Sequence, residues 1–270
     1  MGSLTNALTL LDATLEILLP RECLVCTRPL RGHSLCFRCT PQMALPDGHP
    51  RCARCFSVLR ESLPTGSTCA TCESFPPPGD RIRYLWEYEG LARDLIRSMK
   101  FRPSITLARL GGETMAHNLE RLFIDREWDA LVPVPASPSM ARRRRFHPCY
   151  ELARAISIHH PRLKIISPLR HMGRRAPQST LSHDERLRGL KGSFTLTRHP
   201  RVKGKRILIV EDVITTGATL STISKILQDA GAARIDVLAL AQARVWNRFR
   251  ARLFQAWNPP KARREVSLKR

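Results

Sequence analysis

One short segment, residues 206–220, constrains the fold of this chain more than any other. Within it, residues 207–210 are apolar and mostly β-branched, which predicts a buried strand. Two acids, Glu211 and Asp212, follow directly, and a threonine-rich turn then leads into a helical pattern over residues 220–230. A strand, a turn and a helix N-terminus form an anion site, because backbone N–H groups point outward there and the helix dipole favours negative charge.

The side chains of this segment predict a ligand that carries both a phosphate and a diol. The threonine hydroxyls of the turn add donors for phosphate oxygens, and the two acids can accept hydrogen bonds from vicinal hydroxyls. Together they describe a ribose 5-phosphate. An ordinary βα turn with an N-capping threonine is the alternative, whereas a Walker A loop is excluded because its lysine is missing. The predicted ribose-phosphate residues are Glu211, Asp212, Thr215, Thr216, Gly217, Ala218 and Thr219.

The cysteines give the second strong signal, because eight of the nine form four CxxC pairs between residues 23 and 72. A CxxC turn places two sulfurs on one edge of a tetrahedron, and two such turns complete a Zn²⁺ site. Sequential pairing is the simplest arrangement, an interleaved one stays open, and His33 and His49 are interpreted as surface residues. The predicted ligands of two structural zinc ions are Cys23, Cys26, Cys36 and Cys39 for one and Cys52, Cys55, Cys69 and Cys72 for the other.

A proline- and glycine-rich stretch at residues 76–79 ends the cysteine-rich part, and strand and helix patterns alternate beyond it. That alternation predicts an α/β fold with a mostly parallel sheet flanked by helices, and with ligands at the carboxyl ends of the strands. The predicted strands are residues 82–88, 129–134, 164–166, 207–210 and 234–240, and the predicted helices are residues 90–99, 105–122, 150–157 and 220–230. The predicted organisation is an amphipathic helix at residues 1–20, a double zinc ribbon at 21–75, the α/β domain at 80–242 and a basic amphipathic tail at 243–270.

Residues 206–220 resemble the ribose-phosphate motif of type I phosphoribosyltransferases, in which an apolar strand, two acids and a TTGxT-like loop follow one another. Over roughly residues 4–242, the chain resembles the ComF (ComFC, GntX-like) proteins. These carry an N-terminal double zinc ribbon and a type I phosphoribosyltransferase-like domain, and their better-known member is linked to uptake of transforming DNA. Besides the CxxC series, the resemblance rests on Lys100-Phe101, on residues 131–135, on Arg145-Phe146, on residues 177–186 and on residues 192–194.

The resemblance implies a ligand, phosphoribosyl diphosphate with Mg²⁺, and further site residues. It places the pyrophosphate loop at Pro133, Val134 and Pro135. Candidate charge-stabilising cations are Lys100, Arg142 and Arg145, and the alternative for the run of arginines at residues 142–145 is a solvated loop. Residues 170–182, with Arg174, Arg175, Gln178 and Ser179, are either a mobile loop that closes over the site or a disordered surface loop. The chain departs from the family where Arg145-Phe146-His147-Pro148 replaces Gly-Phe-Asn-Gln, and where Gly189 stands at a position that is often asparagine. If those amides contact the ligand, the departures put catalysis in doubt.

The formal net charge of +22 favours polyanionic partners. We therefore expect a cytoplasmic ComF-like protein that binds phosphoribosyl diphosphate and acts in uptake or handling of transforming DNA, with single-stranded DNA and competence proteins as candidate partners. It would be a type I phosphoribosyltransferase whose acceptor is unknown; a metabolite-sensing regulator and a metabolic phosphoribosyltransferase unrelated to DNA uptake are the alternatives. No stretch is long and apolar enough to predict an integral membrane protein. The basic tail suits DNA, an acidic partner or anionic lipid, or packs on its own domain.

Overall fold

A computed structural model describes residues 21–23, 26, 28–30, 36, 39, 48–101, 104–144, 146–173, 192–197, 201–243 and 246. The predicted N-terminal helix at residues 1–20 lies outside these residues, and so does the predicted tail apart from Ala243 and Trp246. Among the described helices, none has the length and apolar character needed to cross a membrane.

A parallel five-stranded sheet forms the centre of the molecule, as the alternating pattern predicts. Its strands are β3 (Arg81–Glu87), β4 (Ala130–Pro133), β5 (Lys164–Ile165), β8 (Arg206–Ile214) and β9 (Arg234–Gln242). They lie in the order β3-β9-β8-β4-β5, and each neighbouring pair is parallel. Because all five run in the same direction, the loops that follow β4 and β8 emerge at the same edge of the sheet.

Short elements and helices surround this sheet. Two antiparallel pairs lie outside it, β1 (Arg21–Glu22) with β2 (Pro29–Leu30) and β6 (Leu169–His171) with β7 (Phe194–Leu196). The helices are α1 (Ala70–Ser74), α2 (Gly90–Phe101), α3 (Ile105–His117), α4 (Leu119–Leu122), α5 (Pro138–Arg144), α6 (Pro148–His159) and α7 (Ala218–Asp229).

The apolar faces of the sheet pack into two core clusters. Alternate residues of β8 divide between them: Leu208 and Val210 join the cluster that includes α3 and α6, whereas Ile207 and Ile209 join the cluster that includes α7. This division follows from the two-residue period of a strand that is covered on both faces. The sheet is therefore rigid where β8 ends, which is the edge that carries the acidic residues.

The structure differs from the expected elements at three places. Strand β8 extends to Ile214, beyond the predicted end at Val210. The predicted helix over residues 105–122 is interrupted at Asn118, whose side-chain amide donates to the carbonyl oxygen of Thr114 at 2.9 Å and competes with helical pairing. Arg170, predicted to begin a mobile loop, lies instead in strand β6, where it pairs with Thr195.

Candidate functional site

The predicted phosphate turn joins β8 to α7. Gly217 precedes the helix in the left-handed region, with φ of 71°. This conformation turns the chain sharply into α7, whose first backbone N–H groups have no partners within the helix. Thr215 is exposed and Thr216 and Thr219 are half-buried, so the threonines of the turn remain open to solvent. The turn therefore has the geometry of an anion site.

The two acids that precede this turn lie in a buried polar cluster. The Nζ atom of Lys100, near the end of α2, lies 2.8 Å from Oδ1 of Asp212. Cys149, in the first turn of α6, donates its thiol to Oε1 of Glu211 at 3.4 Å. One ligand atom from each of Cys149, Glu211 and Asp212 lies within 4.8 Å of the others. Two helices, α2 and α6, thus converge on the end of β8.

Burial and the neighbouring carboxylate set the protonation of this cluster. Burial, and next the negative charge of Asp212, raise the pKa of Glu211 to about 8. Burial alone would lower the pKa of Lys100, but the carboxylates of Asp212 and Glu211 outweigh it and hold that pKa above its usual value. Burial therefore favours the protonated form of Glu211, beside the contact between Lys100 and Asp212.

This shift predicts a pH dependence of stability. Glu211 binds its proton more tightly in the folded state, so the free energy of unfolding falls as pH rises from 4.5, the ordinary value, through about 8. We expect Glu211→Gln, which fixes the neutral form, to show a smaller fall between pH 6 and pH 8 than the wild type in urea denaturation. Glu113→Gln, at an exposed position of α3, is the control. Parallel curves for the wild type and Glu211→Gln would contradict the prediction.

The predicted pyrophosphate loop leaves β4 beside the acids. Pro133 ends β4, and the N–H group of Val134 donates to the carbonyl oxygen of Val210 at 3.0 Å, which keeps the loop beside β8. The ring of His147 links this loop to α6: the N–H group of Ala136 lies 2.9 Å from Nε2, and the N–H group of Tyr150 lies 3.1 Å from Nδ1. A neutral imidazole accepts at one nitrogen only, so the ring can satisfy either backbone group.

Several predicted site residues take different positions. Of the predicted charge-stabilising residues, Lys100 lies in the cluster beside Asp212, whereas Arg142 is exposed on α5. Outside the described residues lie Arg145, Arg174, Arg175, Gln178 and Ser179. Sequence reasoning missed Cys149 and His147 as neighbours of the site, and the only signal for them was the departure from the family pattern at residues 145–148.

Gly217 is required for a second reason besides its backbone conformation. Trp246, beyond the end of β9, packs its indole ring on this glycine, and a Cβ atom at Gly217 would overlap the ring, with Cη2 at 2.7 Å and Cε3 at 2.8 Å. The indole is 3% exposed. The turn therefore packs against a buried aromatic side chain.

We expect Gly217→Ala to destabilise the protein by about 2–5 kcal/mol, from about 1–2 for a left-handed alanine and about 1–3 for the overlap with Trp246. Urea denaturation measures the loss. Gly204→Ala is a matched control, because Gly204 has the same φ of 71° and nothing within 4 Å of the added carbon. That variant should show only the smaller, conformational part. Equal losses in the two variants would contradict the role of the indole.

The eight CxxC cysteines form two separate groups in the sequential arrangement. One group is Cys23, Cys26, Cys36 and Cys39, the other is Cys52, Cys55, Cys69 and Cys72, and in each the sulfurs lie within 4.8 Å of one another. Two sulfur pairs of the second group, Cys52 with Cys72 and Cys55 with Cys69, are 3.8 Å apart. Tetrahedral Zn–S bonds of about 2.3 Å place sulfurs about 3.8 Å apart, so this spacing fits zinc.

The second cysteine group is fastened to the sheet through a buried arginine. Arg83 of β3 is 7% exposed, and its guanidinium donates to the carbonyl oxygens of Ala53 at 3.0 Å and of Leu122 at 2.8 Å. The N–H group of Ile82 donates to the carbonyl oxygen of Arg54 at 2.7 Å. The two residues inside the Cys52–Cys55 pair thus accept hydrogen bonds from the edge strand of the α/β domain.

A parallel sheet with this turn at the end of β8 defines a phosphoribosyltransferase-type domain, and residues 161–247 match the phosphoribosyl transferase domain family. Curated relatives extend the match. Competence protein F of Haemophilus influenzae is 29% identical over 219 residues, covering 78% of this chain and 91% of that protein. The DNA utilization protein YhgH of Salmonella typhimurium is 32% identical over 231 residues, covering 82% of this chain and 89% of that protein. The chain belongs to the ComF family.

Similarity to solved structures is weak. Adenine phosphoribosyltransferase from Saccharomyces cerevisiae has a TM-score of 0.35 and 15% identity, covering 60% of this chain and 79% of that one. The class of domain therefore rests on the sheet order and on the match over residues 161–247. Competence protein ComFC of Bacillus subtilis is 24% identical over 212 residues, covering 74% of this chain and 80% of that protein.

Proposed function

We propose that this protein binds phosphoribosyl diphosphate with Mg²⁺ at the carboxyl end of β8, and that it acts in the uptake or handling of transforming DNA. The observation that carries the ligand proposal is the position of Glu211 and Asp212 near the end of β8, separated by two residues from the turn at residues 215–219, with Lys100 held against Asp212 at 2.8 Å. Acids for a diol, a phosphate turn and a cation meet at one edge of the sheet.

Each part of the proposed ligand has a partner in this arrangement. The 5-phosphate would accept hydrogen bonds from the backbone N–H groups and hydroxyls of the turn, and the ribose hydroxyls would donate to Glu211 and Asp212. The diphosphate would meet the loop of Pro133, Val134 and Pro135, which lies next to β8. Mg²⁺ would neutralise charge on the diphosphate. Ribose hydroxyls also replace part of the lost solvation of the acids, which favours the ionised form of Glu211.

Phosphoribosyl transfer is the reaction that such a site would support. The bond between carbon 1 of the ribose and the diphosphate breaks, the diphosphate leaves with the bonding electrons, and an acceptor nucleophile bonds to carbon 1. The carboxylates would stabilise the positive charge that develops on the ring, and the turn would fix the ribose in place. Release of pyrophosphate in the presence of candidate bases and amines tests this activity.

Ligand sensing without turnover is a second candidate function, and His147 favours it. This residue stands where the family usually has an asparagine, and its ring nitrogens face the backbone N–H groups of Ala136 and Tyr150. Burial lowers the pKa of His147, so the ring is neutral at pH 7 and accepts a hydrogen bond from one of these two groups. A ring engaged in this way is a structural link between loop and helix. Tight binding of phosphoribosyl diphosphate with no pyrophosphate release on any acceptor would favour sensing.

The role in DNA handling is supported by relatives with "competence" and "DNA utilization" in their names, and by the formal charge of +22. Deleting the gene should lower transformation by added DNA, and only a copy with a functional site should restore it. Unchanged transformation in the deletion strain would contradict this role. A filter-binding assay with single-stranded DNA at several salt concentrations tests direct contact, because phosphate contacts weaken as salt rises.

Calorimetry tests the ligand proposal itself. The wild-type protein with Mg²⁺ is titrated with phosphoribosyl diphosphate, ribose 5-phosphate and pyrophosphate in separate experiments. We expect the whole ligand to bind more tightly than either half, since the turn and the β4 loop would each contribute. If pyrophosphate bound and the two ribose compounds did not, the binding site would lie on the basic surface, and this result would contradict the assignment to β8.

We also propose that the two cysteine groups hold two structural zinc ions. The spacing of their sulfurs fits tetrahedral Zn–S geometry. Backbone N–H groups support the thiolates: that of Cys36 donates to Sγ of Cys23 at 3.4 Å, and that of Cys69 donates to Sγ of Cys52 at 3.3 Å. These outer contacts would stabilise the charge of thiolates bound to metal.

A further inference from the structure

Beyond β9, the chain remains in contact with the end of β8. The N–H group of Ala243 donates to the carbonyl oxygen of Ile214 at 2.8 Å, which continues the pairing of the two strands past Gln242. The N–H group of Trp246 then donates to the carbonyl oxygen of Ala243 at 2.9 Å and closes a turn. This turn brings residue 246 back against the loop that follows β8.

The indole lies in the core under the turn and leaves the hydroxyls open. Trp246 belongs to the core cluster that also contains Ile214 and Leu220, the residues on either side of the turn. Its six-membered ring contacts Gly217, whereas Thr215 is exposed. The aromatic ring therefore supports the backbone of the turn from the core side without covering the hydroxyls that face solvent.

We infer that Trp246 is a positioning residue of the phosphate turn: its indole holds Gly217 and its neighbours in the conformation that receives an anion. A turn made of threonines, a glycine and an alanine buries few apolar atoms of its own, so its order depends on what packs beneath it. Preordering the turn lowers the entropy that a phosphate must overcome on binding. Trp246 lies outside residues 206–220, so the site depends on a residue that the ribose-phosphate motif does not contain.

Hydrogen exchange tests the positioning role without any ligand. In Trp246→Ala, we expect the backbone amides of residues 215–220 to exchange at least about tenfold faster than in the wild type, whereas Trp246→Phe should stay within about threefold. Trp128→Ala is the matched control, because Trp128 is also buried, at 8% exposure, but precedes β4 at the opposite end of the sheet. Unchanged exchange in Trp246→Ala, or an equal increase in Trp128→Ala, would overturn the inference.

A double-mutant cycle keeps the contact itself falsifiable if Trp246→Ala folds poorly. In the wild type, Gly217→Ala should lower the free energy of unfolding by more than Gly204→Ala does. In a Trp246→Leu background most of this difference should disappear, because the added methyl group and the indole are coupled only by direct contact. Independent effects of the two substitutions would show that the indole and the glycine do not constrain each other.

The functional consequence rests on the proposed function, and an affinity measurement addresses it separately. In calorimetry, Trp246→Ala should bind ribose 5-phosphate at least about tenfold more weakly than the wild type, and Trp246→Phe should recover most of the affinity. If the amides of the turn exchanged faster in Trp246→Ala but the affinity for ribose 5-phosphate were unchanged, Trp246 would order the turn without affecting ligand binding. A wild-type protein that binds no ribose 5-phosphate would reject the proposed function, and the exchange data would still decide the positioning role.

Discussion

Replacing both Glu211 and Asp212 by alanine is expected to weaken the binding of phosphoribosyl diphosphate by about 10²–10⁴-fold. Each carboxylate would accept a hydrogen bond from a ribose hydroxyl, and a hydrogen bond to a charged group contributes about 1.5–3 kcal/mol. Two such bonds give about 3–6 kcal/mol, since 1.4 kcal/mol corresponds to a factor of ten. Calorimetry with Mg²⁺ present measures the loss.

Lys100 opposes this loss, but by less. Without Asp212, its ammonium group would lose the carboxylate that lies 2.8 Å away and become free to attract the diphosphate. The freed ammonium group makes one new contact, whereas the double variant loses two hydrogen bonds of about 1.5–3 kcal/mol each, so the loss of the two carboxylates dominates. Lys100→Met in the double variant removes the opposing term and should weaken binding further.

Two controls separate loss of the site from loss of the fold. Asp229→Ala removes an exposed carboxylate that pairs with Lys225 at 2.7 Å on α7, and it should leave the affinity unchanged. The double alanine variant removes the carboxylate partner of the largely buried Lys100, so we expect it to unfold at a lower temperature than the wild type but still in one cooperative transition, which shows that the fold is retained. Unchanged affinity in the double variant would contradict the assignment of the site.

Local patterns predicted the part of the site that is built from consecutive residues. The strand, the acids and the turn of residues 206–220 are neighbours in the chain, so their apolar run, their charges and their glycine determine the arrangement directly. Sequential grouping of the cysteines was the simplest prediction for the same reason, since each CxxC turn fixes two sulfurs locally, and the structure confirms it. The parallel sheet followed from the alternation of strands and helices, and it is confirmed as well.

The residues that sequence reasoning missed reach the site through the order of the strands. Cys149 and His147 come from the connection after β4, and Trp246 follows β9; β4 and β9 are the two neighbours of β8 in the sheet. Neither the hydrophobic periodicity nor the spacing of motifs in the sequence predicts which strands will be adjacent. Lys100 was predicted only through the family resemblance, and its contact with Asp212 likewise depends on how α2 packs.

Stability and ligand recognition compete at the end of β8. Without ligand, burial favours the protonated form of Glu211, whereas hydrogen bonds from ribose hydroxyls favour the ionised form. Ligand binding should therefore release a proton near neutral pH. Calorimetry in buffers of different ionisation enthalpy would detect that proton. Lys100 contacts Asp212 and Cys149 contacts Glu211, and these contacts hold the elements around the strand end in place.

Cys55→Ser is expected to remove one of two zinc ions and to unfold the second cysteine group. Structural zinc contributes about 10–16 kcal/mol of apparent binding free energy, which exceeds the net stability of about 5–15 kcal/mol of a typical domain. The small segment between residues 48 and 75 lacks an extensive apolar core among its described residues, since its buried cluster consists of Cys52, Cys55 and Cys72 with Leu59 and Cys69 against it. Metal binding must therefore supply most of its stability.

The loss should spread to the α/β domain through Arg83. When the segment unfolds, the guanidinium loses the carbonyl oxygen of Ala53, and the N–H group of Ile82 loses that of Arg54. Leaving buried donors unsatisfied costs about 1–3 kcal/mol each, partly recovered when water enters. Urea denaturation followed by circular dichroism should thus show a less stable sheet, whereas Arg83→Met should weaken the same connection while both zinc ions remain bound.

Native mass spectrometry decides the metal content of these variants. We expect two zinc ions in the wild type, one in Cys55→Ser, and two in the control Cys149→Ser, which removes the ninth cysteine at a position outside both groups of four. The sheet of Cys149→Ser should keep its resistance to urea within about 1 kcal/mol, because serine can still donate to Glu211. Two zinc ions in Cys55→Ser, or one in the wild type, would contradict two independent four-cysteine sites and favour a metal centre shared between the groups.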